Sequence, residues 1–272
     1  MTDGLDQLVG LLPLLVASGL FAGLLAGLLG IGGGIVMTPV LFLVFSTADV
    51  PEAWRMHMAL ATSLAIIVPT GLSSARAHYR HDAVDVALVR RWLVPVALGA
   101  LAGAAIAAQV DSRSLVAFFV VVAVLMGIKM ILPLEGRRIG DALPTGPAGF
   151  AAPTLIGMFG ALMGIGGATF SVPYMTLFGM AIHRAVGTAA LLGLAIAVTA
   201  GIGYVVGGLG VEGLPPWTLG FVSLPALIVV APLSALAAPW GAKLAHKLSR
   251  RWLSAIFGLF LIISAARLAM AL

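Results

Sequence analysis

The sequence predicts an all-α polytopic membrane protein made of two inverted repeats, each with a glycine-broken helix and short half-helix pair plus three spanning helices. Three observations carry that reading. The 272 residues are 61% hydrophobic and 9% charged, with a mean hydropathy of +1.14, whereas a soluble domain is about 25% charged. Long, nearly uncharged runs such as Leu8 to Phe45, Leu115 to Ile128 and Trp252 to Ala266 suit membrane helices of about 20 residues and lack the alternation of barrel strands. Third, Gly30-Ile31-Gly32-Gly33-Gly34 in one apolar run is answered by Gly164-Ile165-Gly166-Gly167-Ala168 in another. Each glycine weakens a helix interior by up to about 1 kcal/mol relative to alanine, so such clusters predict breaks. At membrane depth, broken backbone is tolerated only where it packs in protein or lines a watery cavity.

In chain order, the first unit reads as a helix over 9–29, a short one over 35–46, and longer ones over 57–77, 91–110 and 114–133. The second unit repeats them over 148–163, 169–180, 185–206, 217–240 and 252–271. Asp3 and Asp6 open the chain and no Lys or Arg precedes Arg55, so the basic start of a cleavable signal peptide is missing and the first helix is expected to remain. The short segments follow directly on the glycines. At about 1.5 Å per residue, a dozen residues reach roughly half a bilayer, so these are half-helices or re-entrant arms. Pro39 and Pro173 are expected near their first turns, where a missing N–H costs least.

Internal matches define the repeats. Gly23, Leu28, Gly30 to Gly33 and Pro39 meet Gly157, Leu162, Gly164 to Gly167 and Pro173 at an offset of 134 residues. His57, Ala59 and Thr62 meet His183, Ala185 and Thr188 at 126, and Gly103, Leu115, Phe119 and Lys129 meet Gly241, Leu253, Phe257 and Arg267 at 138. The first transmembrane repeat is residues 1–133, the second 148–272, and a polar linker over 134–147 joins them.

Loop charge sets the orientation. The loop after the third segment carries Arg76, Arg80, Arg90 and Arg91 in the first copy, but only Glu212 in the second. The next loop reverses this, with Asp111 and Arg113 against Lys243, Lys247, Arg250 and Arg251. If basic loops face the cytoplasm, equivalent loops lie on opposite sides and the copies are inverted. Both termini are then expected outside the cytoplasm and the Arg137-Arg138 linker inside.

The breaks suggest a chemistry. A helix start offers four free N–H donors and about half a positive charge, enough to attract a small anion without a buried Lys or Arg. The candidate substrate-binding residues are Gly32, Gly33, Gly34, Gly166, Gly167 and Ala168 through their backbone, with the hydroxyls of Thr38, Thr62, Ser63, Thr169, Ser171 and Thr188. Against this stand two plainer readings, in which the glycines serve close helix packing and the hydroxyls bond their own helices. His57 and His183, at matched positions, are candidates for gating or proton coupling, as are Arg76 and Arg184 for contacting an anion at the mouths. Interfacial placement and the positive-inside rule account for these four as well.

Other classes find little support. Absence of cysteine removes disulfides and thiolate chemistry. No carboxylate lies deep in an expected helix, since Asp49, Glu52, Asp82, Asp85 and Glu212 read as loop residues. The net charge of +5 sits in short clusters between apolar segments and reads as membrane topology, with no nucleic acid implied. No catalytic residue, metal site or cofactor is expected: an intramembrane enzyme would need a nucleophile with a base or a metal cluster.

The run Gly27-Leu28-Leu29-Gly30-Ile31-Gly32-Gly33-Gly34 with Pro39, its echo over Gly160 to Gly167 with Pro173, and the later Ala61-Thr62-Ser63-Leu64 and Val186-Gly187-Thr188-Ala189 resemble the TauE/SafE sulfite exporter family over nearly the whole chain. The resemblance implies a multi-pass permease of the bacterial inner membrane whose partners are the lipid bilayer and a small anionic substrate such as sulfite, sulfoacetate or another organosulfonate. Two departures weaken the symmetry, since Ala168 stands opposite Gly34 and Ala189 opposite Ser63. The leading expectation is a secondary transporter working by alternating access around a midplane site between the copies. An anion channel with the breaks as its constriction is the alternative.

Overall fold

The computed structural model describes residues 2–29, 34–48, 50–132, 138–245 and 250–271, so Gly32, Gly33, Asp49, Arg137 and Lys247 lie outside the described residues. Among the described residues the chain forms ten helices and one small hairpin. The helices are α1 (Thr2–Leu29), α2 (Gly34–Thr47), α3 (Glu52–Arg80), α4 (Val86–Gln109) and α5 (Ser112–Ile131), then α6 (Gly146–Leu162), α7 (Ala168–Leu177), α8 (Ile182–Gly208), α9 (Leu224–Ala245) and α10 (Arg250–Ala269). Seven of these contain a stretch long and apolar enough to cross a membrane, and the protein is an all-α multi-pass membrane protein.

The elements fall where the apolar runs and glycine breaks place them, with two differences. The segment expected to begin α9 at residue 217 is instead an antiparallel hairpin, β1 (Thr218–Leu219) paired with β2 (Val222–Ser223). Trp217 at φ 63° and Gly220 at φ 55° turn the chain out of helical geometry there. Pro39 and Pro173 are not in the first turns: each is the sixth residue of its short helix. Each therefore removes an interior N–H, which the short helices tolerate.

Small residues set the packing. Along α1 and α9, Gly19 faces Val230, Gly23 faces Ser234, and Gly27 faces Ala238, so the two helices run parallel at backbone contact. Along α4 and α6, Gly99 faces Thr154 and Gly103 faces Met158, again parallel. These contacts use matched positions: Gly157 lies on Val96 as Gly23 lies on Ser234, and Gly103 lies on Met158 as Gly241 lies on Leu24. Between α5 and α10, Gly127 and Gly258 meet each other.

Helices α3 and α8 cross the centre in opposite directions. The end of α8 at Gly208 abuts Phe221, whose ring lies 5.0 Å from that of His57 near the start of α3. At the other end Arg184, near the start of α8, pairs with Asp85 just beyond the end of α3. The linker joins this second end, where Arg91 donates to the Pro144 carbonyl and Ile139 donates its N–H to the Leu177 carbonyl at 2.9 Å. Helices α6 and α7 thus form a hairpin that enters and leaves on the basic side, whereas α2 returns towards the start of α3. On the opposite face Asp111 caps α5, accepting from the Ser114 amide at 2.8 Å and hydroxyl at 2.7 Å. Those bonds hold its exposed carboxyl below its usual range.

Candidate functional site

The start of α2 meets the second break in the interior. A Cβ built on Gly34, the first residue of α2, would lie 3.0 Å from the Ile165 Cα and 3.2 Å from the Gly166 amide nitrogen. The second break is shaped by two left-handed glycines, Gly164 at φ 66° and Gly167 at φ 71°. Glycine is required at 164, because a Cβ there would sit 2.6 Å from the Thr38 hydroxyl and 2.9 Å from the Leu60 Cα.

Hydroxyls of the first half hold the carbonyls of that second break. Thr38 Oγ1 donates to the Met163 and Gly164 carbonyls at 3.0 and 3.3 Å. Ser63 Oγ reaches the Gly164 carbonyl at 2.8 Å and the Gly34 carbonyl at 3.4 Å. Both side chains are fully buried. With these carbonyls occupied, the amides at the start of α7 dominate the polarity. Among the described residues, no acceptor is hydrogen-bonded to the amides of Gly166, Gly167, Ala168 and Thr169, which are the orphan donors of a helix start. Ser171 donates to the Gly167 carbonyl at 2.9 Å within its own turn, and Thr169 is half-buried.

Thr62 and Thr188 are engaged elsewhere, in a matched pair of contacts. Thr62 Oγ1 accepts the Ser223 amide at 3.0 Å, and Thr188 Oγ1 accepts the Asp85 amide at 2.9 Å. Ser223 and Asp85 are the residues from which α9 and α4 begin, and Asp85 also caps the Leu88 amide at 3.0 Å. His57 is buried, not interfacial. Its Nε2 lies 2.9 and 3.0 Å from the Ala107 and Val110 carbonyls, so Nε2 carries the proton and donates. Nδ1 has no partner among the described residues. His183 and Arg76 are exposed, and Arg184 lies 3.2 Å from Asp85 in an ion pair. None of these four residues is brought to the breaks.

Two spaces border the junction. A pocket of about 20 Å³, room for about one water, is lined by Ile67, Gly166, Ala168, Ala189 and Gly193. A cavity of about 400 Å³ lies on the basic side, between α1, α2, α3 and α9. Ile67 and Ser74 line both, so α3 forms the partition. The cavity extends along Thr70, Ser73, Ser74 and His78, positions i, i+3, i+4 and i+8 on one face of α3. None of these is among the candidate site residues named from the sequence; the polar spacing within an apolar helix is the signal that would have identified them.

A family model described as sulfite exporter TauE/SafE matches residues 15–268. A probable membrane transporter protein of Haemophilus influenzae is 34% identical over 255 residues, covering 94% of this chain and 96% of its own. The probable membrane transporter protein YunE of Bacillus subtilis is 29% identical over 182 residues, covering 60% of this chain and 67% of its own. A probable membrane transporter protein of Methanocaldococcus jannaschii is 25% identical over 255 residues, 91% of this chain and 93% of its own. No solved structure matches the chain.

Proposed function

This chain belongs to the TauE/SafE sulfite exporter family and is a membrane transporter, not an enzyme; on that footing we propose that it carries small sulfur-containing anions such as sulfite, sulfoacetate or other organosulfonates. The observation that carries the reading is the meeting of the start of α2 at Gly34 with the second break at Ile165 and Gly166, with that break's carbonyls bound by Thr38 and Ser63 and the α7 amides left as donors. A donor-rich, carbonyl-capped helix start inside an apolar protein favours an anion over a cation.

The mechanism is alternating access between two inverted repeats, residues 1–133 and 148–272, joined by the linker 134–147 on the cytoplasmic side. Support comes from matched contacts in the two halves, from the opposite directions of α3 and α8, and from the basic residues gathered at the linker end. On this reading both termini lie in the periplasm of a bacterial inner-membrane protein. Carrier action is favoured over a channel because the space matching the basic-side cavity is filled. There Tyr204, fully buried, donates to the Ala161 carbonyl at 3.2 Å.

The test is counterflow of labelled sulfite and labelled organosulfonate in liposomes holding the purified protein. Exchange is expected, and Gly166→Val should abolish it by pressing a side chain against Ile67 and Gly193. No flux for any sulfur anion with folded protein would overturn the substrate class. Single-channel currents would replace the carrier by the channel.

A further inference from the structure

Resting on the reading of the junction between α2 and α7 as the transport site, we propose that Ile67 is the gate between that junction and the basic-side cavity. Its side chain covers the start of α2 and the loop into α7, and its withdrawal admits the transported anion.

Position along α3 is the first argument. Ser63, Ile67, Thr70 and Ser74 follow one another on one face of the helix, at spacings of three and four residues. Ser63 is fully buried at the junction, where it bonds the Gly164 and Gly34 carbonyls. Thr70 and Ser74 border the cavity. Ile67 stands between them, buried, and lines both the cavity and the water-sized pocket at the second break. Between the hydroxyl at the junction and those in the cavity, this face of α3 offers hydrocarbon alone. An anion passing it sheds water without compensation until it reaches the α7 amides, which is how an apolar constriction closes a path.

What the two branches of Ile67 touch is the second argument. A Cβ built on Gly34 would lie 2.6 Å from Ile67 Cδ1, and one on Gly166 would lie 3.3 Å from Ile67 Cγ2. An isoleucine in a helix keeps nearly one χ1 rotamer, so the Cγ2 branch moves only with α3. The Cδ1 branch is free to swing about χ2. The opposite face of Gly166 is closed differently. At the 126-residue offset that relates His57 to His183, Ile67 answers to Gly193. Gly193 brings the bare backbone of α8 onto Gly166, with its Cα 3.4 Å from where a Gly166 Cβ would stand. Backbone packed on backbone cannot swing aside, so of the two covers the side chain is the movable one.

The chain contains no cysteine, so Ser63→Cys and Ser74→Cys place single thiols on either side of Ile67. Their alkylation by iodoacetate, a small anion, is measured on purified protein in detergent. Ser74→Cys should react at one rate whatever stands at position 67, the sign of an intact cavity. Ser63→Cys should react slowly beside Ile67. Each buried carbon removed from the gate eases its withdrawal about fourfold, so Ile67→Val, which loses only Cδ1, should raise the Ser63→Cys rate about fourfold. Ile67→Ala should raise it by at least about tenfold, and where that variant does not fold the milder Ile67→Val decides. Ile66→Val, the same loss from a buried neighbour, should leave the rate unchanged. A Ser63→Cys rate that ignores position 67, or that rises equally in Ile66→Val, would overturn the gate. Counterflow of labelled sulfite and organosulfonate in liposomes separates the two readings: flux with a Ser63→Cys rate indifferent to position 67 removes the gate alone. A graded rate without flux of any sulfur anion removes the substrate class alone.

Discussion

One face of the central helix pair is open and its counterpart is packed solid, although the same positions of the two halves build both. On the basic side, Thr70, Ser73, Ser74 and His78 of α3 border a cavity of about 400 Å³, with Gly27 of α1 across from them. At the offsets that relate the halves, these positions become Ile196, Thr199, Ala200, Tyr204 and Ala161. In the second half Ile196, Ala200, Tyr204 and Ala161 are all fully buried, and the Tyr204 hydroxyl bonds the Ala161 carbonyl. Small hydroxyls and a glycine leave room where an isoleucine, an alanine and a tyrosine fill it. Side-chain volume at these positions accordingly distinguishes the open side from the filled one. That asymmetry suits a carrier seen open on one side. A pore open on both sides at once would not suit one.

The largest expected effect follows from breaking the packed side. Tyr204→Ala removes a fully buried ring and should destabilise the protein by about 3–5 kcal/mol, as large-to-small core changes do. In protein that still folds, it should open a path opposite the basic mouth. The measurement is anion leak from loaded liposomes without substrate on the outer side. Tyr204→Phe keeps the volume and loses only one hydrogen bond, so it should cost about 0.5–1.5 kcal/mol and leave the liposomes tight. A tight Tyr204→Ala variant would show that Tyr204 is not what closes this side.

Much of this arrangement was legible in the sequence, for physical reasons that also mark where legibility ended. The ten helices could be read because hydrocarbon imposes long apolar runs and because glycine clusters interrupt them at both breaks. The role of Thr62 and Thr188 could not be read. Their matched positions were visible, but their partners, the Ser223 and Asp85 amides, are 161 and 103 residues distant in the chain. The burial of His57 escaped for the same reason, because the carbonyls that hold it belong to the end of α4 and the residue beyond it. Trp217 to Ser223 carries apolar residues that read as a helix start, and only the left-handed turns at Trp217 and Gly220 make it a hairpin. Within the site, the glycines pointed to the junction. The capture of the second break's carbonyls by first-half hydroxyls depends on contacts spanning 101 to 126 residues.

A second comparison sharpens the first. Thr62→Val and Thr188→Val each strip the partner from a helix-starting amide while preserving side-chain shape. Each should cost about 1–3 kcal/mol, the penalty of leaving a polar group unsatisfied. Their environments differ, since the Ser223 amide is buried whereas that of Asp85 is only partly so. Thermal unfolding in detergent should therefore show Thr62→Val as the more damaging of the two. A reversed order would mean that water does not compensate the Asp85 amide, and that the basic side is drier than the cavity beside it implies.

The smallest effect concerns the ion pair on that basic side. Arg184 and Asp85 approach to 3.2 Å, but their side chains are 58% and 21% exposed, so solvent screens the attraction. Arg184→Ala should change stability by no more than about 1 kcal/mol, and the difference should fade as salt is raised. Asp85→Ala is a different experiment, because that carboxylate also caps the Leu88 amide, a contact that salt does not remove. Losing Asp85 should therefore cost more than losing Arg184 at every salt concentration. If the two variants were equal at high salt, the cap would be contributing nothing and the start of α4 would be held by Thr188 alone. The basic mouth would then rest on the same single amide-to-hydroxyl contact that fixes the start of α9 on the packed side.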